Sequence, residues 1–208
     1  MIDLYTFGTP NGRKVSIALE EMELDYQVNS VDIMNNEQFQ ADFLKISPNN
    51  KIPAIVDHET GISLMESGVI LYYLATKSGK FLPKDAHHHW QALEWLDWQT
   101  GGFGPMLGQA HHFLHFNPDR SDYAENRFGE EAQRLYSVLD GQLVGRDYVA
   151  GEYSIADMAI WPWAARFEFQ KVDLNSFPNV LRWYRKIASR PAVIAGYCVP
   201  VETEIPIP

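Results

Sequence analysis

Two kinds of hydrophobic spacing divide the chain into an early and a late part. In roughly the first 80 residues, short runs typical of strands alternate with runs of helical spacing. The spacing predicts strands and helices in the order β (2–7), α (13–22), β (26–31), α (35–46), β (53–56), β (62–65) and α (67–77). This order, with a proline opening the third strand, is that of an α/β thioredoxin-like domain.

The late part shows helical spacing only. It begins after Leu82-Pro83-Lys84-Asp85, which we interpret as part of a linker, and it contains all six tryptophans. Helical runs are predicted over 88–100, 123–143, 155–170 and 179–189. The segment 197–208 has three prolines and no periodicity, which predicts an extended tail. The predicted domains are therefore a thioredoxin-like domain (1–80), a linker (81–86) and an all-α domain with an extended tail (87–208).

Composition and charge narrow the class of protein. The chain has 208 residues, 46% of them hydrophobic, and a formal net charge of -10. An acidic balance argues against binding to nucleic acid or anionic lipid, which attract basic surfaces. The N-terminus lacks the pattern of a signal peptide, and no apolar run approaches the length of a membrane span. We therefore expect a cytoplasmic protein with neither nucleic acid nor membrane as a partner.

Cysteine and histidine offer little chemistry of their own. The single cysteine, Cys198, excludes an intrachain disulfide and a Cys-x-x-Cys motif, so redox chemistry would need sulfur from another molecule. His111 and His115 have the spacing of neighbours on one helix face. A zinc site needs three or four converging ligands, however, and no convincing third ligand is present. We expect no metal.

The segment from Ser47 to Asp57 and the pair Glu66-Ser67 predict a binding site. Proline cannot donate to a sheet ladder, so Pro53 should open its strand. A cis Ile52-Pro53 bond would leave the Ile52 N–H and C=O at a sheet edge, free to pair with a short peptide. We interpret Ser67 as the N-cap of a helix whose free N–H groups form an anion site. Together these features favour a small peptide with a free α-amino acid end. Each feature alone would indicate only a strand start and a helix cap.

In this order and spacing, Ile52-Pro53 and Glu66-Ser67 resemble the strand-opening pair and the acidic-serine pair of the glutathione transferase family. The predicted architecture is also that of this family, and the resemblance covers essentially the whole chain. The turn 9–12, the segment 47–53 and the glycine-rich stretch 101–109 look specifically like the nu class. That class resembles the glutathione transferase-like domain of a fungal nitrogen regulator. The resemblance implies a homodimer with glutathione as co-substrate.

The family places its sulfur-activating group in the turn between the first strand and the first helix, here Thr9-Pro10-Asn11-Gly12. Only the thiolate of glutathione is a good nucleophile, and the Thr9 hydroxyl, the Asn11 amide and the helix N-terminus would stabilise it. Neither side chain is basic enough to accept the proton. Tyr5 and Ser16 are the rival candidates, because many members use a Tyr, Ser or Cys. The simpler interpretation is a turn followed by a helix cap.

The two carboxylates and the ammonium group of glutathione suggest further binding residues of complementary charge or polarity. Glu66 would pair with the ammonium group and Ser67 with the γ-glutamyl carboxylate, while Asn50 and Lys51 would reach the glycyl carboxylate. Gln38 is a further polar candidate at the start of the second helix.

Arg127 resembles an arginine that in this class reaches glutathione across the dimer interface. A simpler interpretation is a solvated arginine on a glutamate-rich helix.

Members of the nu class reduce small organic disulfides with glutathione, bind glutathione disulfide well and conjugate electrophiles poorly. We accordingly expect a glutathione-dependent disulfide-bond reductase whose substrate is a small organic disulfide. Two alternatives stay open. One is a conventional transferase that conjugates glutathione to an electrophile or reduces peroxides. The other is a non-catalytic regulatory module that kept the fold.

Overall fold

The computed structural model describes residues 1–208, which form two compact units. The first comprises Met1–Leu82 together with Ser189–Ile205. The second comprises Pro83–Ala188 and Pro206–Pro208. The C-terminal segment, which the hydrophobic pattern places with the helical part, thus belongs mostly to the first unit.

The first unit contains a four-stranded mixed sheet in the order β2-β1-β3-β4. Its strands are β1 (Ile2–Thr6), β2 (Tyr26–Ser30), β3 (Ala54–Asp57) and β4 (Ile62–Met65). β1 pairs in parallel with β2 and antiparallel with β3, so that Leu4 lies opposite both Val28 and Ile55. β3 and β4 form the predicted hairpin. The expected thioredoxin-like α/β class is confirmed.

Three helices of this unit are α1 (Pro10–Met22), α2 (Ala41–Ile46) and α3 (Ser67–Ser78). The prediction of one continuous helix over 35–46 is wrong. Two 3₁₀ turns precede α2 because Asn36, between them, adopts a left-handed conformation with φ 62°. The Asp32 carboxylate caps the first turn by accepting the Met34 N–H.

The second unit is helical, as expected. Its helices are α4 (Ala86–Trp98), α5 (Gly104–His111), α6 (Asp122–Gln142), α7 (Ile155–Ala164) and α8 (Pro178–Ala188), with π-helical segments at Gln99–Phe103 and His112–Phe116. The hydrophobic pattern missed α5, whose Pro105 lies in the first turn, where no intrahelical N–H bond is needed. A Cβ on Gly104 would lie 2.4 Å from the Gln99 Nε2 atom, so a larger residue there would displace the Gln99 side chain.

A capping box opens α7. The Asp157 carboxylate accepts the Ser154 N–H at 3.1 Å, and Ser154 accepts the Ala156 N–H at 3.3 Å. Asp157 also accepts the Trp183 indole N–H at 2.9 Å. The box therefore ties the start of α7 to α8.

The hydrophobic pattern also missed a helix, α9 (Pro191–Tyr197), which packs on α1 in the first unit. The predicted tail follows it, with no further helix or strand after Tyr197. The Ser16 hydroxyl donates to the Gly196 carbonyl at 2.6 Å. The buried Arg13 guanidinium lies 3.7 Å from the centre of the Tyr197 ring. The first unit thus takes part of its core from the far end of the chain.

Candidate functional site

The turn between β1 and α1 places Thr9 and Asn11 at a helix N-terminus. Thr9 is the N-cap of α1, and its hydroxyl oxygen accepts the Gly12 N–H at 3.2 Å. A Cβ on Gly12 would lie 2.3 Å from the Phe7 carbonyl oxygen, so the tight turn requires glycine. Because the Thr9 oxygen accepts this bond, its O–H remains able to donate to another group.

Asn11 lines a cavity of about 200 Å³ in the first unit. Six of the ten residues predicted for the binding site line it, namely Asn11, Lys51, Ile52, Pro53, Glu66 and Ser67. Three residues outside the predicted set complete the cavity: Ser47 and Asn49, which belong to the segment that predicted the site, and Met65. The structure therefore brings the α1 N-terminus, the β3 entry and the α3 start together around one cavity.

The entry to β3 is held in a defined shape. The Ile52-Pro53 bond is cis, and the sheet ladder begins only at Ala54, so Ile52 lies just outside it. The buried Ser47 hydroxyl donates to the Lys51 carbonyl at 2.8 Å. Asn50 has φ 49° and donates its N–H to the Ser47 carbonyl at 2.9 Å. Asn50 therefore shapes the turn, and its contact with a ligand stays a prediction.

The start of α3 differs from expectation by one residue. Glu66, with φ 70°, occupies the N-cap position, and Ser67 is the first helical residue. The prediction that Ser67 is the N-cap is wrong, because Ser67 already belongs to the helix. Its hydroxyl accepts a hydrogen bond from the amino group of a lysine on another helix. The opening N–H groups of α3 still lack partners in their own helix, as at any helix start.

That lysine is Lys14, a residue the sequence reasoning missed. Its side chain is 1% exposed, and its Nζ donates to the Ser67 Oγ at 3.3 Å. Burial lowers the pKa of Lys14 to about 7, and the nearby Glu66 carboxylate opposes that effect. Lys14 precedes Ala18 by one helical turn, so a charged residue on the apolar face of α1 was the available signal.

The lowered pKa of Lys14 predicts a pH-dependent stability. The ordinary value is 10.5 and the folded value about 7, so the unfolded chain binds more protons between these limits. The stability of the protein should therefore rise with pH in this window. Relative to Lys14→Met, we expect the wild type to gain about 1–2 kcal/mol between pH 7 and pH 8.5, measured by urea denaturation.

Lys45→Met is the control for this comparison. Lys45 is exposed, and its ion pair with Asp42 raises its pKa above the ordinary value, so it does not titrate between pH 7 and pH 8.5. A wild type and a Lys14→Met variant with parallel stability profiles over this range would contradict the prediction.

The two rival sulfur-activating residues are engaged elsewhere. Tyr5 packs on Phe43 with ring centres 6.2 Å apart, and burial, with a smaller effect from Asp3, raises its pKa. The Ser16 hydroxyl is fully buried and bonded to the Gly196 carbonyl. These contacts agree with a packing role for both residues.

Four predicted binding residues lie outside the cavity lining, namely Thr9 and Asn50, described above, and Gln38 and Arg127. Gln38 is half-buried in the 3₁₀ turn Glu37–Phe39, and its buried Oε1 atom has no hydrogen-bond partner within the chain. Arg127 belongs to the second unit, where it lines a separate cavity of about 760 Å³ with Glu130 and Glu131 among its neighbours. Their contacts with a ligand stay predictions.

The histidine pair that suggested a metal has another environment. His111 is buried between the rings of Trp163 and Phe169, and Gln170 donates to its Nε2 atom at 3.0 Å. Burial, aided by Arg166 and His115, lowers the pKa of His111 to about 4, so the ring is neutral at pH 7. The structure contains no group of three or more His, Cys, Asp or Glu residues that could hold a metal ion. None of its helices combines the length and the apolar character required to cross a membrane.

Comparisons with known proteins point in one direction. The model of the glutathione S-transferase N-terminal domain matches residues 2–76, and that of the C-terminal domain matches residues 103–191. Disulfide-bond oxidoreductase YfcG of Escherichia coli (strain K12) is 51% identical over 198 residues, which cover 92% of each chain. Disulfide-bond oxidoreductase YghU of the same organism is 43% identical over 219 residues, which cover 95% of this chain and 74% of YghU.

A solved structure is similar over nearly the whole chain. It is a glutathione transferase from Pseudomonas putida with one glutathione disulfide bound per subunit. It is 42% identical, has a TM-score of 0.92, and the match covers 96% of this chain and 91% of the other.

Proposed function

The chain belongs to the glutathione S-transferase family, and on that premise we propose that it is a glutathione-dependent disulfide-bond reductase acting on small organic disulfides. One observation carries the proposal. A single cavity joins Asn11 at the N-terminus of α1 to Ile52 and to the Glu66-Ser67 pair. Support comes from the identity of about one half to a protein named a disulfide-bond oxidoreductase.

In the proposed complex, glutathione spans this cavity. Ile52, just outside the ladder of β3, pairs with the cysteinyl backbone in the manner of an added strand. The γ-glutamyl end lies at the start of α3, where Glu66 takes the ammonium and Ser67 the carboxylate. Lys51 and Asn50 take the glycyl carboxylate.

The sulfur then lies at the N-terminus of α1. The Thr9 O–H and the Asn11 amide donate to it, and the helix N-terminus adds a favourable potential for negative charge. Gln38 of the same subunit and the partner subunit's Arg127 complete the proposed binding residues.

The reaction needs no cysteine from the protein. The bound thiolate attacks one sulfur of the disulfide substrate, forming a mixed disulfide with glutathione and releasing the other half as a thiolate. A second glutathione thiolate attacks the glutathione sulfur of this intermediate and releases the remaining half. In total, two glutathione molecules are oxidised to glutathione disulfide, and the substrate disulfide takes up two protons to become two thiols. Cys198 is compatible with a bystander role, since its Sγ donates to the nearby Thr203 carbonyl at 3.6 Å.

We further propose a cytoplasmic homodimer of the nu class. The class assignment is supported by the Thr9–Gly12 turn and by the glycine-rich stretch 101–109, which forms a π-helical turn and the start of α5. Gel filtration or light scattering would test the dimer.

The test of the activity compares two reactions. Reduction of bis(2-hydroxyethyl) disulfide is followed through NADPH use by coupled glutathione reductase, and conjugation is followed with a chlorinated nitrobenzene. We expect strong reduction with feeble conjugation. The reverse result would identify a conventional conjugating transferase.

Ligand binding separates a chain that kept the glutathione site from one that lost it. A ligand present at 100 times its Kd stabilises the folded protein by about 2.7 kcal/mol. For a chain of this size we expect a rise in Tm of about 5–10 °C with glutathione or with its disulfide. Unchanged melting with both ligands would contradict the proposed site. A shift without activity in either assay would instead indicate a regulatory module.

A further inference from the structure

A buried lysine lies directly behind the cavity. Lys14, on the fifth residue of α1, is 1% exposed, and its Nζ bonds to the hydroxyl of Ser67, which itself lines the cavity. Burying an ammonium group is costly unless its charge is compensated. A lysine at this position in the packed interface between α1 and α3 therefore calls for a role other than filling space.

The hydrogen bond runs from the Lys14 amino group to the Ser67 oxygen. Protonated Lys14 has three donors and no acceptor, so this direction is then the only one possible, and a carboxylate bound nearby favours that protonated form. The Ser67 hydroxyl proton is then directed away from Lys14 and can be donated to a group in the cavity. An acceptor carrying negative charge would gain most, because charge-assisted hydrogen bonds are the stronger ones.

Opposite charges flank Ser67. Lys14 lies beneath its hydroxyl, and Glu66, exposed and lining the same cavity, precedes it in the chain. A ligand with a carboxylate and an ammonium group on one carbon has charges complementary to this arrangement. The carboxylate would face Ser67 and Lys14, and the ammonium would face Glu66.

We propose that Lys14 is a positioning residue that makes this site selective for an α-carboxylate, by holding the Ser67 hydroxyl towards the cavity and supplying positive charge behind it. The inference rests on the proposed function, in which glutathione supplies that carboxylate through its γ-glutamyl end. Lys14 does not touch the ligand and acts through Ser67.

The test uses three peptides. Glutathione is compared with 4-aminobutyryl-cysteinyl-glycine, which lacks only the α-carboxylate, and with glutaryl-cysteinyl-glycine, which lacks only the α-ammonium. Their Kd values are measured by calorimetry for the wild type, Lys14→Met, Lys14→Gln and the exposed-lysine control Lys45→Met. The readout is the ratio of two affinities within each variant, which a general loss of stability does not change.

We expect the wild type and Lys45→Met to prefer glutathione over the decarboxylated peptide by about tenfold to a hundredfold, the usual range for a hydrogen bond to a charged group. In Lys14→Met this preference should fall to about threefold or less. The preference over the deaminated peptide should persist, since Glu66 is intact. Lys14→Gln keeps a donor to Ser67 without the charge, and its preference should be intermediate.

The possible failures are distinguishable. A wild type that binds none of the peptides would overturn the proposed function and this inference with it. A wild type that prefers glutathione, together with Lys14 variants that keep the full preference, would overturn the inference alone. If Lys14→Met does not fold, as its melting curve would reveal, Lys14→Gln decides. An undiminished preference in that variant also counts against Lys14.

Discussion

Replacing Asn11 by alanine is expected to lower kcat for disulfide reduction by about a hundredfold, the usual cost of removing one donor to a developing negative charge. Asn11 lines the cavity at the second position of α1, and its amide is proposed to donate to the glutathione sulfur. Without that donor the thiol ionises less readily. Most of the proposed binding contacts lie elsewhere, at Ile52 and at the Glu66-Ser67 pair, so the Kd for glutathione should change by less than about threefold.

The experiment pairs steady-state kinetics with a titration of the bound thiol, followed by thiolate absorbance. We expect the thiol pKa to be higher in Asn11→Ala than in the wild type. Asn175→Ala provides the same substitution on the exposed surface of the second unit and should leave both quantities unchanged. A normal kcat in Asn11→Ala would remove this residue from the mechanism and return attention to Thr9.

Replacing Gly196 by alanine should lower the free energy of unfolding by about 2–3 kcal/mol, as overpacking of a tight interface does. A Cβ at Gly196 would lie 2.5 Å from the Cα and 2.6 Å from the N of Ile17. Both contacts are to backbone, which cannot rotate away as a side chain can. Helix α9 must therefore lift from α1 and weaken the bond between Ser16 and the Gly196 carbonyl. Thermal and urea denaturation would measure the loss, with a Tm lower by about 4–12 °C.

Gly141→Ala is the matched control. Gly141 lies inside α6, and a Cβ there would have open space around it. Alanine is the better helix former, so this variant should be more stable by up to about 1 kcal/mol. Equal losses in the two variants would mean that the closeness of α9 and α1 is not what Gly196 provides.

The elements that the sequence predicts well are those whose local signals agree with their environment. β3 and β4 are marked by Pro53 before the hairpin and Gly61 within it, and both ends match the structure closely. The helix over 35–46 fails because the backbone at Asn36 departs from helical geometry. Helix α9 has seven residues, too few to be stable alone, and exists because it docks on α1. No local pattern carries that information.

The candidate site likewise has a part that the sequence predicts and a part that it does not. The order and spacing of Ile52-Pro53 and Glu66-Ser67 suffice to predict a shared cavity, because strand and helix starts in this topology meet at one edge. The burial of Lys14 could not be predicted from the sequence, because a lysine beside other polar residues usually indicates an exposed helix face. Its burial results from the packing of α1 against α3, which depends on residues more than fifty positions apart.

The origin of α9 has a consequence for synthesis on the ribosome. The sheet and the first three helices are complete by Ser78, but the helix that covers Arg13, Ser16 and Ile17 begins only at Pro191. Translation proceeds at about 5–20 residues per second, so α9 is synthesised on the order of ten seconds after the first three helices. During that interval the face of α1 that α9 covers is exposed to solvent. The first unit can complete its packing only after the helices of the second unit have been synthesised.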